Sequence, residues 1–287
     1  MWWGIASSVI MVYIALCLVF YFFQDFFFFR PERLPQYFKY KYPFPFEEVH
    51  FEMPDGGYVN GIHFKIPNSK GVVFYLKGNS RSIKGWGKFA RDFVGKGYDF
   101  FMIDYRGFGK SKGKRSEKIL FSDAQAAYEW LNTQYEQHNI IVYGRSLGSG
   151  IGAYVASRNT PKMLILDSPY YSFRSLVARH GFFLPLGWIL RYQIRSDLYL
   201  PKIKVPIFFI HGVRDRLTSF ACSEKLFALN PQATPIFSIE KGSHNTLPEF
   251  PEYHDYLYDI LNEEYFWGNE SRESKIERTN RELESRD

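Results

Sequence analysis

The stretch YGRSLGSG, from Tyr143 to Gly150, places a serine between two glycines where an apolar run turns into a helical pattern. The apolar run before it is NIIV, and the residues that follow, GIGAYVASR, are typical of a helix. Because glycine has no side chain, Gly144 and Gly148 allow a tight turn to pack closely against its neighbours. Ser146 would then stand at a helix N-terminus, which favours negative charge. The stretch predicts a strand–turn–helix that presents Ser146 as a nucleophile.

The rest of the chain alternates short apolar runs with longer helical stretches. A hairpin precedes the alternation, since FEEVHFE and YVNGIHFKI flank the turn sequence MPDGG. Several of the later runs are apolar on consecutive residues, which is typical of strands that helices cover on both faces. These runs are VVFYLK from Val72, DFFMI from Asp99, NIIVY from Asn139, MLILD from Met163, PIFFIH from Pro206 and PIFSIE from Pro235. The pattern predicts an α/β fold with a mostly parallel central sheet of about eight strands and helices on both faces.

The first part of the chain, WWGIASSVIMVYIALCLVFYFF from Trp2 to Phe23, has no charged side chain and is long enough to cross a bilayer. A cleavable signal peptide is the competing interpretation, but it would need a basic start and a small-residue cleavage site. We therefore expect a retained single-pass anchor. Basic residues follow it closely, at Arg30, Arg33, Lys39 and Lys41. The positive-inside rule then predicts that the catalytic domain lies on the cytoplasmic side.

The chain has a formal net charge of +6, and the charge is unevenly distributed. Residues 30–120 contain 18 Lys and Arg against 9 Asp and Glu. This excess suits a face attracted to anionic lipid headgroups, or equally an ordinary solvated surface. A nucleic-acid partner is not expected, because no binding motif accompanies the charge. Cys17 and Cys222 lie far apart and without metal-binding spacing, so we expect no disulfide, no metal and no organic cofactor.

These patterns divide the chain into four parts. Residues 1–29 are the expected transmembrane anchor, and 30–45, rich in proline and aromatics, the expected extended linker. Residues 46–264 are the expected α/β domain, and 265–287 are highly charged with no apolar period, which predicts a disordered tail.

Two further residues have the positions that an acid and a base would need. A serine nucleophile needs a base, and the base needs a carboxylate that fixes its tautomer. Asp215 follows the buried strand PIFFIH, and His244 follows the final strand in FSIEKGSHNTL. The carboxyl ends of parallel strands share one edge of the sheet, where such folds build their sites. The sequence therefore predicts a triad of Ser146, Asp215 and His244.

An acyl transfer site also needs two backbone donors for the oxyanion. The amide after the nucleophile, that of Leu147, is the first candidate. The second candidate is the amide of Asn79, in the loop that follows VVFYLK, where Gly78 permits close approach.

The set YLKGNS, DYRGFGKSKG, YGRSLGSG, DSPYYSF, PIFFIHGVRD and KGSHNTL resembles the α/β-hydrolase superfamily. It is similar to the membrane-anchored group of Bem46-like proteins and α/β-hydrolase domain-containing proteins 12, 13 and 17. The resemblance runs from Val49 to Leu261 and implies the same triad, with the amides of Asn79 and Leu147 as the oxyanion hole. Relatives commonly have His-Gly-Asn where this chain has Lys77-Gly78-Asn79; because the donor is a backbone amide, the resemblance implies that the oxyanion hole is kept.

The resemblance also implies that the insertion at about 168–201 is a short lid over the site. The insertion has an apolar cluster, for which two interpretations are open: an acyl-binding surface beside a membrane, or a set of core contacts. The cluster comprises Phe182, Phe183, Leu184, Leu186, Trp188, Ile189 and Leu190. We expect a membrane-anchored serine hydrolase of the esterase, lipase or thioesterase type. Its substrate would be a small-molecule or lipid acyl ester. A non-catalytic ligand-binding protein and a peptidase of the same fold remain the alternatives, and the sequence says nothing of protein partners.

Overall fold

The computed structural model describes residues 2–179 and 183–262. The strands are β1 (Phe46–Glu52), β2 (Tyr58–Phe64), β3 (Val72–Leu76), β4 (Asp99–Ile103), β5 (Ile140–Arg145), β6 (Met163–Asp167), β7 (Ile207–Gly212) and β8 (Phe237–Ile239). The helices are α1 (Trp2–Phe28), α2 (Ile83–Trp86), α3 (Arg91–Val94), α4 (Glu117–Asn132), α5 (Leu147–Ala156), α6 (Phe173–Ala178), α7 (Leu186–Ile189), α8 (Ser196–Tyr199), α9 (Ala221–Phe227) and α10 (Pro251–Leu261).

The eight strands form one sheet in the order β1-β2-β4-β3-β5-β6-β7-β8. The hairpin β1–β2 is antiparallel and joins β4 in the antiparallel sense, whereas β3 to β8 are parallel. The predicted α/β-hydrolase fold, with its mostly parallel sheet, is confirmed. Because β3, β5, β6 and β7 run in the same direction, the loops that follow them meet at one edge of the sheet. We call this edge the carboxyl edge.

Helices cover the sheet on both sides, which is why the central strands are apolar on consecutive residues. In β3, Val72 and Phe74 pack into one core with α4, α5 and α9, while Val73 and Tyr75 pack into the other with α3 and α10. Every residue of β3 to β7 is buried. The buried strands hold the carboxyl edge rigid, so the side chains on it have fixed positions.

Helix α1 contains the segment Ile5–Phe28, which is long and apolar enough to cross a membrane, and no residue of the 18-residue window that meets this test is buried inside the molecule. Signal sequences pass the same test of length and composition. The helix kinks at Phe23. Its last turn is joined to the domain, because Phe29 is buried against Phe108 and Tyr192.

The segment predicted as a linker, 30–45, contains no helix or regular strand, but it is packed against the domain along much of its length. Tyr40 is buried and its hydroxyl donates to Asn60 Oδ1 at 2.9 Å. The Tyr42 hydroxyl donates to the carbonyl of Ile83 at 2.8 Å. The aromatic residues of this segment therefore extend one of the two cores rather than separating the helix from the domain.

In its described residues, the predicted lid contains three short helices, α6 to α8. Some apolar residues of the predicted lid are core contacts, whereas others are exposed and available to a membrane or a substrate. Leu186 and Leu190 are buried, whereas Phe183 and Trp188 are exposed, Trp188 to 91%. Phe182, the charged tail 265–287 and the last two residues of the predicted domain lie outside the described residues.

Candidate active site

The turn between β5 and α5 presents Ser146 at the carboxyl edge. Ser146 has φ 51° and ψ −118°, a conformation that residues with a side chain rarely adopt. Two glycines make the turn possible. A Cβ on Gly148 would lie 1.9 Å from the carbonyl oxygen of Leu76, and one on Gly144 would lie 2.5 Å from the carbonyl oxygen of Gly148. No larger residue fits at either position. The close packing of the turn against the neighbouring backbone therefore explains why the sequence has glycine at both.

The structure brings the three predicted side chains together in a single chain of hydrogen bonds. His244 Nε2 lies 2.9 Å from Ser146 Oγ, and His244 Nδ1 lies 2.7 Å from Asp215 Oδ2. An ionised carboxylate only accepts hydrogen bonds, so Nδ1 of His244 carries the proton. When the ring carries this proton alone, Nε2 presents its lone pair to the Ser146 hydroxyl. This is the arrangement that accepts the proton of a serine as it attacks.

Asp215 is fixed by groups on its own loop. Its Oδ1 accepts from the amides of Leu217 and Thr218 at 2.8 and 2.9 Å, and its Oδ2 accepts from the Thr218 hydroxyl at 2.8 Å. Burial opposes ionisation of Asp215, but hydrogen bonds from His211, His244 and Thr218 outweigh it and hold the pKa of the carboxyl well below its ordinary value. The carboxylate therefore stays charged at neutral pH, as a group that must stabilise an imidazolium requires.

The loop after β3, residues 77–83, lies beside Ser146, and we call it the oxyanion loop after the role predicted for it. A Cβ on Gly78 would lie 3.8 Å from the Cβ of Ser146. Among the described residues, none accepts a hydrogen bond from the Asn79 amide. The Leu147 amide is at the first position of α5, where a helix leaves its amides without intrahelical partners. Both predicted donors are thus on the edge of the sheet that carries Ser146.

Lys77, the residue that departs from the family pattern, is completely buried. Its ammonium lies 3.4 Å from Asp104 Oδ1, donates to the carbonyl of Arg81 at 3.2 Å and stands 3.9 Å from the ring centre of Phe108. Burial lowers the pKa of Lys77, and Asp104 opposes that shift by stabilising the ammonium. The Lys77 side chain therefore contacts the inner side of the oxyanion loop and stabilises the loop from within the domain.

Sequence reasoning missed two residues that support the site. Arg145, the residue before the nucleophile, donates to the carbonyl of His244 at 3.2 Å and lies 3.5 Å from Asp167. Thr218 bonds to Asp215 and also lies 3.1 Å from His244 Nδ1. A signal for Thr218 was present, since an Asp in a loop with a Thr three positions later is typical of a turn. Nothing local to Arg145 indicates a partner 99 residues away in sequence.

The sheet order and the helices on both faces are those of the α/β-hydrolase fold, and the chain is similar to members of that superfamily. A sequence model of the family described as "Serine aminopeptidase, S33" matches residues 67–196. The match spans β3 to the start of α8, and it therefore includes the oxyanion loop and Ser146.

Curated relatives match over most of the domain. An uncharacterized protein of Mycobacterium tuberculosis is 29% identical over 204 residues, which are 69% of this chain and 72% of that protein. The α/β-hydrolase domain-containing protein 17C of Xenopus tropicalis is 29% identical over 214 residues, covering 69% of this chain and 64% of that protein. Among solved structures, the Pyrococcus furiosus esterase Pf2001 matches with a TM-score of 0.63 at 22% identity, over 82% of this chain and 97% of that one.

Proposed function

We propose that this protein is a serine hydrolase that cleaves carboxylic esters or thioesters through a covalent acyl-enzyme. Ser146 attacks the acyl carbon while His244 takes its proton, and the alcohol or thiol leaves with a proton returned by His244. Water, activated by the same histidine, then releases the acid. Asp215 stabilises the imidazolium, and the amides of Asn79 and Leu147 stabilise the oxyanion. The chain of hydrogen bonds from Asp215 through His244 to Ser146 carries the proposal.

The proposal includes a membrane anchor. In it α1 spans the bilayer once and the domain lies on the cytoplasmic side, as the basic residues that follow the helix favour. The substrates we favour include lipid-linked esters, because α1 ends at the carboxyl edge beside the lid. The solved esterases that share the fold support ester hydrolysis as the reaction class.

Labelling with a fluorophosphonate, which reacts with activated serines, tests the nucleophile. We expect the full-length protein in detergent to label and Ser146→Ala to give no labelling. On an ester that the wild type hydrolyses, Ser146→Ala and His244→Ala should each lower kcat by on the order of 10⁶-fold, and Asp215→Asn by on the order of 10⁴-fold. The alanine variants lose the nucleophile or the base, without which the other two side chains cannot act. Asp215→Asn keeps the arrangement of the three side chains and loses only the carboxylate charge, so its effect is smaller.

Ser157→Ala is the matched control, because Ser157 caps the helix that starts after Ser146 and its hydroxyl donates only to Tyr154 in the described structure. It should label at the wild-type rate. If the wild type neither labels nor hydrolyses acyl esters of any chain length, the proposal is wrong and a ligand-binding protein on the hydrolase fold takes its place.

Amide hydrolysis is the second candidate, because the matching family carries the description of a serine aminopeptidase. The two reactions share the nucleophile but differ in the leaving group. Comparing kcat/KM for matched p-nitrophenyl esters and aminoacyl p-nitroanilides separates them. A preference for the anilides would replace the esterase assignment while leaving the triad in place.

A further inference from the structure

The end of α1 is hydrogen-bonded directly to the oxyanion loop. The side-chain amide of Asn79 donates to the carbonyl of Phe28 at 2.7 Å, and the carbonyl of Asn79 accepts from the Arg30 amide at 2.9 Å. The Arg81 amide donates back to the carbonyl of Arg30, also at 2.9 Å. The chain at 28–30 and the loop at 79–81 thus lie side by side, joined by three hydrogen bonds.

The side chain of Glu32 adds a second connection, further along the loop. Its Oε2 accepts from the hydroxyl of Ser82 at 2.7 Å, and its Oε1 pairs with the Lys84 ammonium at 2.8 Å. The hydrogen bond and charge of Lys84 lower the pKa of Glu32, so the carboxylate remains an acceptor at neutral pH. Ser82 itself is buried, and Asp104 accepts from the next amide, that of Ile83, at 3.0 Å.

The loop needs such support because its backbone is strained. Arg81 has φ 53°, in the left-handed region that a residue with a side chain adopts at a cost. Lys77 and Asp104 hold the loop from inside the domain, and the segment 28–32 holds its outer side. The carbonyl and side chain of Asn79 are engaged by that segment, while its backbone amide has no acceptor among the described residues, as an oxyanion donor requires.

We propose that residues 28–32, at the junction of α1 and the domain, position the oxyanion loop for catalysis, so that the anchor is a structural part of the active site. Asn79 and Glu32 are positioning residues in this inference, since their side chains act on the loop and only the Asn79 amide meets substrate. The inference rests on the proposed hydrolase function. It implies that the helix junction sets the efficiency of the acyl transfer as well as the location of the domain.

The test compares full-length Asn79→Ala and Glu32→Ala with the wild type in detergent, on a p-nitrophenyl ester that the wild type hydrolyses. Asn79→Ala keeps the amide but loses the bond to Phe28. We expect kcat to fall by about 10- to 100-fold while KM stays within about twofold, because an oxyanion donor acts in the transition state and its complete loss costs about 10²- to 10³-fold. Glu32→Gln keeps an oxygen acceptor for Ser82 and should recover most of the activity lost in Glu32→Ala.

Asn159→Ala is the matched control, since Asn159 also donates a side-chain amide to a backbone carbonyl, that of Val155 at 2.8 Å, away from the site. It should keep wild-type kcat. Titration of reactive serines with a fluorophosphonate gives the fraction of folded sites, so kcat per titrated site separates misfolding from misplacement. Wild-type kcat in both Asn79→Ala and Glu32→Ala overturns this inference and leaves the hydrolase function standing. A wild type that neither labels nor turns over overturns both.

Discussion

At the scale of single residues, a histidine outside the candidate site is buried in an unfavourable environment. His63 on β2 is fully buried; its Nε2 lies 2.9 Å from the Tyr135 hydroxyl, and its Nδ1 has no partner within the described residues. The Tyr135 hydroxyl donates to Asp99, so it accepts from His63, and the ring is neutral with its proton on Nε2. Burial, with a smaller effect of Lys65, lowers the pKa of His63 to about 4 from 6.5.

This shift predicts a loss of stability in mild acid. Between the two pKa values the unfolded chain binds a proton that the folded chain does not, so the free energy of unfolding falls as pH falls below 6.5. For His63 the loss between pH 7 and pH 5 is about 2 kcal/mol, from about 1.4 kcal/mol per pKa unit. Guanidinium unfolding in detergent at the two pH values measures it. His63→Phe, which keeps a ring in the site, should show a pH dependence smaller by that amount.

The exposed surface residue His138 provides the comparison. His138→Gln should behave like the wild type at both pH values. If His63→Phe loses as much free energy of unfolding between pH 7 and pH 5 as the wild type, groups other than His63 cause the loss.

The positions of the three candidate side chains could be predicted from sequence more fully than the contacts that support them. Ser146, Asp215 and His244 each follow a strand, and parallel strands bring their carboxyl ends to one edge whatever the details of packing. The contact of Arg145 with the carbonyl of His244, in contrast, depends on how two loops approach one another. No local pattern encodes that approach, so it needed the three-dimensional structure.

At the scale of elements, one buried ion pair joins the loop after β4 to helix α4. Arg106 donates to both carboxylate oxygens of Asp123 at 2.8 Å, and neither side chain is more than 3% exposed. Removing one partner of such a pair leaves the other charge buried and alone. We therefore expect Arg106→Met to lower the free energy of unfolding by about 3–5 kcal/mol. Denaturant unfolding of the full chain in detergent measures the change.

A double variant identifies the cause of that loss. Arg106→Met with Asp123→Leu removes both charges and should recover most of the stability, because the cost arises from the unpaired carboxylate. Asp55→Ala is the control, since Asp55 also pairs with Arg106, at 2.6 Å, but is half exposed, so its removal should lower the free energy of unfolding far less than Arg106→Met does. Equal losses in the single and double variants would contradict this explanation.

The segment 30–45 shows what the pattern of an element leaves open. Its prolines and aromatics have no helical or strand period, which predicts an extended chain but says nothing about what the aromatics contact. Tyr40 and Tyr42 pack on the outer side of the sheet because the segment crosses a face where α2 and α3 are only one turn long. The sequence does not show that α2 and α3 leave part of this face uncovered, so the packing of the two tyrosines there could not be predicted from it.

At the scale of the whole molecule, the lid runs beside α1 as well as over the domain. The Tyr13 hydroxyl donates to the carbonyl of Phe183 at 2.9 Å, and Gln24 donates to the carbonyl of Ile189 at 2.6 Å. Tyr13 and Gln24 are separated by eleven residues, or roughly 16 Å of helix at about 1.5 Å per residue. If α1 spans a bilayer as proposed, Phe183 lies at the depth of Tyr13, near the middle of the helix.

This alignment predicts that Trp188, on the exposed side of α7, contacts lipid acyl chains. In proteoliposomes, phospholipids brominated on their acyl chains should quench part of the tryptophan fluorescence, and that part should shrink in Trp188→Phe, because quenching requires contact with the bromines. Trp130→Phe is the control: Trp130 packs against Phe51 within the domain, so its removal should leave the quenched part unchanged. A quenched part that is equal in Trp188→Phe and in the wild type would place the lid in water. The exposed tryptophan would then need another partner, and the bilayer would no longer explain why the lid and α1 share a face.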